Sequence, residues 1–205
     1  MSVSRRVALL GLSATLLSAC VGGGSFKTDY VPVPADVTRD WRLAEVRVNV
    51  PKTLVVSEQK SLMPAADIVW REDPLGDRHA QVGAIMKTAV TRGAQGLNGA
   101  RLMIIDVTVT RFHALTIEAE TRLQNAGVHN INFTAQVIDA RTGEVLLAPA
   151  KISAELPALS GDQMRAARAK GQTQKSMITA HVARSVAGWL GTGPDNRGTF
   201  TRSGN

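Results

Sequence analysis

The sequence predicts an α+β domain in two layers: an antiparallel meander sheet with one parallel strand, and two helices packed on one face. Three observations predict it. Apolar residues alternate with polar ones in residues 41–50, 101–112 and 131–137, and an apolar strand follows over 145–156. Two apolar stripes at helical spacing lie between and after these segments. Turn residues bring the second, third and fourth strands into immediate succession, which favours antiparallel neighbours.

The elements follow in order. Val46, Val48 and Val50 alternate with Glu45, Arg47 and Asn49, so residues 41–50 make a half-buried strand that Pro51 ends. Residues 52–70 hold two short apolar pieces around a polar loop, read as minor strands. Asp73-Pro74 then pairs a favoured N-cap with a favoured first helical residue. Leu75, Val82, Ile85, Met86, Ala89 and Val90 recur at helical spacing, so a helix is expected over about 74–95, closed by Gly93, Gly96 and Gly99.

Ile105, Val107 and Val109 alternate with Asp106, Thr108 and Thr110. After a turn at residues 124–127, Ile131, Phe133, Ala135 and Val137 alternate back, which makes a hairpin. A second turn at residues 139–143, with Gly143 placed for a left-handed residue, leads into the strand at 145–156. A right-handed crossover through the first helix would set the strand at 41–50 parallel to that at 101–112. Ser160 and Gln163 have capping-box spacing, and the last helix is expected to run from there to about Leu190. Its stripe is Met164, Ala167, Ile178, Val182, Val186 and Trp189. With both helices on one face, the face bearing Thr108, Thr110, Asn130, Asn132 and Gln136 should be wetter.

The chain's only cysteine, Cys20, stands between an apolar run and a glycine triplet. Residues 1–6 are short and basic through Arg5 and Arg6, and residues 7–17 are almost uninterruptedly apolar. Eleven such residues are too few to span a bilayer, which takes about 20. A basic start, an apolar centre and small residues before a cleavage point make a secretory signal peptide. Ser4-Arg5-Arg6 is a little like a twin-arginine signal, but Ala8 stands where a bulky apolar residue usually does, which favours the general secretory route.

Leu17-Ser18-Ala19-Cys20 matches the bacterial lipobox, and the segment resembles lipoprotein signal peptides as a class. The resemblance implies a diacylglycerol thioether on Cys20, cleavage before it and acylation of the new amino terminus, palmitate being a typical chain. Val21 rather than Asp after the cysteine implies the outer membrane. The expected organisation is therefore residues 1–19 as signal peptide, 20–40 as a lipidated tether rich in Gly and Pro, 41–190 as one domain and 191–205 as a disordered tail.

Without the signal segment's two arginines the formal charge of +7 falls to about +5, a balance that favours anionic lipid or polysaccharide without naming a ligand. Aromatics make up 4% of the chain and are not interleaved with a basic run, so nucleic acid is excluded as the expected partner.

Catalytic chemistry has little to stand on. No thiol beyond Cys20, no G-x-S-x-G, no dinucleotide fingerprint and no H-E-x-x-H is present, so no enzyme activity, cofactor or metal is expected. Asp73, Asp77 and His79 could hold a metal, but each also has a structural role as cap, dipole partner or edge of the helical stripe. His113 and His129 fall on adjacent hairpin strands and, with Phe112 and Asn130, could form a shared polar site or simply pack across the strands. Gly171, Gln172, Gln174 and Lys175 in "KGQTQKS" interrupt the apolar stripe of the last helix. That gap reads either as close backbone packing with Lys175 reaching to water, or as a contact surface for a partner.

The segments "ADIVWREDPLGDRHAQV", "TVTRFHALT", "IDARTGEVLLAPAKISAELPA" and "GQTQKSMITAHVARSVAGWLG" resemble an uncharacterised family of bacterial envelope lipoproteins, defined as a domain of unknown function. The resemblance implies no catalytic residues. Two functions follow as expectations: docking onto an envelope assembly or transport complex, with the membrane reached through the lipid anchor, or carriage of a small amphiphile in a pocket behind Phe112 and Trp189.

Overall fold

The segment in which Ile105, Val107 and Val109 alternate with polar residues becomes an interior strand of the sheet. In the computed structural model, which describes residues 25–202, the order is β1 (Ser25–Asp29), α1 (Ala35–Thr38), β2 (Trp41–Asn49), β3 (Ile68–Val69), α2 (Arg78–Gly93), β4 (Arg101–His113), α3 (Ile117–Arg122), β5 (Val128–Asp139), β6 (Val145–Ala154), β7 (Leu156–Pro157), α4 (Gly161–Ala169), α5 (Gln174–Trp189) and β8 (Gly198–Thr201). The strands lie in the order β2-β4-β5-β6-β1-β8, with β3 also against β4 and β7 against β5.

As expected, β2 is parallel to β4 through the α2 crossover, and β4, β5 and β6 form the antiparallel meander. One sheet face is apolar: Met103, Ile105, Val107 and Val109 of β4 and Ile131, Phe133, Ala135 and Val137 of β5 are buried there. Val82, Ile85, Met86, Ala89 and Val90 of α2 and Ile178, Val182, Val186 and Trp189 of α5 cover it in a second layer. Asp106, Thr108, Asn130, Asn132, Thr134 and Gln136 point the other way and are half-buried, with Thr110 exposed.

Several expectations need correction. The tether does not reach residue 40: the chain enters the sheet at Ser25, where β1 pairs with β6 and β8, and Tyr30 and Val33 are in the core. The segment after residue 190 is not wholly a tail, because β8 adds to β1 with Phe200 opposite Phe26. The rings of that pair stack at 5.8 Å.

The last helix is two helices. Gly171 has φ +75, in the left-handed region that turns a chain out of a helix. A new start at Thr173 carries a capping box in which Thr173 and Ser176 cap one another. Ser160 holds the N-cap position of α4 as expected, but its side chain makes no capping bond: the hydroxyl accepts from Ala126 N at 3.0 Å and donates to Ala126 O at 2.8 Å. The first helix is capped by Asp77, whose carboxylate accepts from Ala80 N at 3.1 Å, rather than by Asp73. Between β4 and β5, in a stretch the sequence reading left unassigned, α3 forms and touches α4.

Candidate functional site

Cys20 lies outside the described residues. Of the other residues singled out by sequence, the polar gap is the most fully resolved. Gly171 and Gln172 are exposed on the corner between α4 and α5. Gln174, at 3% exposure, opens α5, and its side-chain amide donates to Glu120. Glu72 accepts from the backbone N–H groups of Gln174 at 3.1 Å and of Lys175 at 2.6 Å, which places a carboxylate on the positive end of the helix.

Lys175 Nζ donates to Asp73 at 2.8 Å, and Trp70 Nε1 donates to the same carboxylate at 2.8 Å. Burial works against the charge on Asp73, but the bonds from Lys175 and Trp70 outweigh it and hold its carboxyl below the usual range. Arg168 closes the group by donating to Glu72 at 2.8 Å and to Glu120 at 2.9 Å. The groups that meet Gln174 and Lys175 are thus the domain's own carboxylates, Glu72, Asp73 and Glu120.

The second set divides between the two sheet faces. Phe112, opposite Ile131, is fully buried and meets the Trp70 ring edge-on at 5.7 Å. His113 lies opposite Asn130 on the polar face, with its Nδ1 3.0 Å from Arg111. Burial and the Arg111 charge push the His113 imidazole below its ordinary pKa. His129 is on the core side, fully buried, with no hydrogen-bond partner on either ring nitrogen among the described residues. His113 and His129 do not share a site, because neighbouring positions along β5 face opposite ways.

A second histidine, His181, which the sequence reading did not single out, bears on His129 electrostatically. His181 sits one residue before Val182 in the α5 stripe, and that placement was the available signal. The Thr28 hydroxyl donates to the Glu155 carbonyl at 2.9 Å, so it accepts from His181 Nε2 at 2.9 Å. Burial, and then the neighbouring His181, lower the His129 pKa to about 3. Burial, and then Arg184, lower that of His181 to about 4. Of Asp73, Asp77 and His79, the last two stay together, His79 Nδ1 lying 3.8 Å from Asp77 and its Nε2 3.2 Å from the Leu54 carbonyl, while Asp73 turns away to Lys175.

The polar sheet face carries two shallow hollows. One, of about 330 Å³, is walled by Arg47, Asn49, Asp106, Thr108 and Gln136. The other, of about 450 Å³, is walled by Thr110, Asn132, Thr134, Lys151 and Ser153. Both open to solvent and offer hydroxyls, amides and two cations. Neither has Phe112 or Trp189 in its wall, and both of those rings are fully buried in the packed core.

Residues 41–205 match the family of unknown function DUF6778. The chain belongs to this family. No curated protein matches it. Among solved structures it is similar to the PelC L103M dodecamer protein of Paraburkholderia phytofirmans, at 13% identity over 82% of this chain and 98% of that one, with a TM-score of 0.37. It is also similar to XCC0632 of Xanthomonas campestris, from family DUF330, at 16% identity over 74% and 85% of the chains and a TM-score of 0.44. A candidate lipoprotein of Caulobacter crescentus CB15 aligns at 16% identity over 78% and 98%, with a TM-score of 0.36. No helix among the described residues of the present DUF6778 member is long and apolar enough to cross a membrane.

Proposed function

We propose that this DUF6778 member is a lipid-anchored periplasmic protein of the outer membrane that docks onto an envelope assembly or transport complex and performs no catalysis. The observation that carries the reading is the sequence Leu17-Ser18-Ala19-Cys20, set behind a basic start and an apolar run and only five residues before β1. A cysteine so placed is positioned for acylation, and Val21 after it fits retention at the outer membrane.

Docking falls to the polar sheet face, where Arg47, Asp106, Gln136 and Lys151 offer hydrogen bonds and charge without an enclosed pocket. Non-enzymatic action is supported by two of the histidines: among the described residues His129 is buried without a hydrogen-bond partner, and His113 lies beside Arg111, so neither is oriented by a carboxylate as a general base would be. The test has two parts. Cys20→Ser should abolish fatty-acid labelling and release the protein from membranes, and recovery of the parent chain only in inner-membrane fractions would contradict the sorting. A photo-crosslinking residue at Thr108 should capture an envelope protein in intact cells, whereas one at Thr88 on α2 should not; equal capture at both would contradict docking through the sheet.

A further inference from the structure

The strand directions decide which end of the domain stands nearest Cys20. β4 runs from Arg101 to His113, β5 begins at Val128 beside that finish, β6 ends there at Ala154, and β1 begins there at Ser25. The chain therefore emerges at the end that also holds the 114–127 segment with α3, and the loop before β3. That loop is tied to α3's start by the bond from Thr116 Oγ1 to the Ser61 carbonyl, at 2.8 Å.

Only residues 21–24 separate Cys20 from Ser25. Fully extended, five steps reach at most about 18 Å. Ser25 is three strands from β4, a lateral offset of about 14 Å. The same end carries exposed apolar side chains: Met63 at 86% exposure, Leu62, and Ile117 at 54%. Exposed Lys60 and Arg122 stand in the same two segments. Among the carboxylates of these segments, Glu120 is engaged by Arg168 and Glu58 by Arg71 and Arg78, while Glu118 and Asp67 have no ion-pair partner among the described residues; Lys60 and Arg122 are the exposed cations. Exposed Leu102 and Val145 occur at the opposite end, but the 13 residues of β4 put that end about 40 Å away, beyond the reach of the linker.

We propose that this end of the domain is a membrane-contact surface, in which Met63, Leu62 and Ile117 enter the headgroup layer of an anionic bilayer and Lys60 and Arg122 meet its phosphates. The proposal rests on acylation of Cys20 and deepens that reading by assigning an orientation. Small apolar contacts and one or two cations are weak membrane ligands alone, but a covalent anchor a few residues away holds them at high effective concentration.

The test uses the full-length acylated protein, whose Cys20 thiol is blocked, carrying either Met63→Cys or Val145→Cys labelled with an environment-sensitive fluorophore. Each is reconstituted into phosphatidylethanolamine–phosphatidylglycerol vesicles containing headgroup nitroxide lipid. Quenching at position 63 is expected to exceed that at 145 several-fold, and Lys60→Glu with Arg122→Glu is expected to shrink the ratio. Equal quenching, or stronger quenching at 145, overturns the orientation. Vesicle flotation and the acyl mass of the Cys20 peptide are read in parallel. A chain that floats without a difference between the positions refutes the orientation alone, whereas a chain that neither floats nor carries acyl mass removes the anchor and this proposal with it.

Discussion

Thr28 on the first strand and His181 on the last helix are joined by a hydrogen bond of 2.9 Å, and the His181 imidazole helps to lower the pKa of the fully buried His129. The contact fastens β1, and so the segment nearest Cys20, to the helical layer.

A pH dependence follows. The folded-state pKa values of about 3 for His129 and about 4 for His181 lie below the ordinary 6.5, so folding favours the neutral rings. Their contribution is fully present above about pH 6.5 and is lost as pH falls from there toward 4 and then 3. At pH 5, protonation in the unfolded chain alone should cost about 2 kcal/mol for His129. The urea midpoint is expected to be lower at pH 5 than at pH 7.5, and His129→Leu should flatten the difference. Asp73 acts in a separate window, its contribution being lost below the ordinary carboxylate pKa of 3.8. An equal midpoint at both pH values would contradict the buried neutral pair.

Gln174→Leu removes the amide that donates to Glu120 at a position 3% exposed. The carboxylate loses that donor and keeps only Arg168, so stability should fall by about 1–3 kcal/mol in chemical denaturation. Unchanged stability would instead point to a partner as the group that Gln174 serves.

The segment after the last helix contributes to the fold. The Tyr30 hydroxyl lies 2.9 Å from Asn196 Oδ1 and accepts from Asn196 N at 3.2 Å, while the Arg197 guanidinium stands 5.6 Å from the Tyr30 ring centre. Truncation after Leu190 should therefore lower the Tm by more than about 5 °C, corresponding to roughly 1–2 kcal/mol in a domain this size. A Tm within a degree of the parent would show β8 to be dispensable.

At Gly93 the backbone of α2 packs directly against α5: a Cβ there would stand 2.6 Å from the Ala183 carbonyl and 2.7 Å from Val186 Cβ. Gly93→Ala should cost about 1–3 kcal/mol through displacement of α5. Gly171→Ala meets open space but a positive φ, so a smaller loss of about 1 kcal/mol is expected. Thermal unfolding of the two variants should rank them in that order.

Long, regular elements were legible in the sequence because their burial repeats over many residues. β5 alternates over all 12 of its residues and β4 over Ile105–Val109, and that alternation also separates the core face from the polar face. β1 and β8 were not legible, since "SFKTD" and "GTFT" are too short to establish a period and owe their order to each other. The break at Gly171 was visible as a lapse in the stripe, but a lapse does not distinguish a polar patch from a corner. Asp73 and Asp77 both precede helical sequence; Lys175 and Trp70, distant or not yet folded in a linear reading, draw Asp73 away and leave the cap to Asp77. The Thr28–His181 contact joins residues 153 apart, a relation that no local pattern carries.

The central claim is that Cys20 is the acylated first residue of the mature protein, and the mass of its amino-terminal peptide, from protein extracted from membranes, tests it most directly. The account predicts a peptide beginning at Cys20 with a diacylglycerol and an amide-linked acyl chain. A peptide beginning at Met1, or one containing Cys20 as a free thiol, would contradict it.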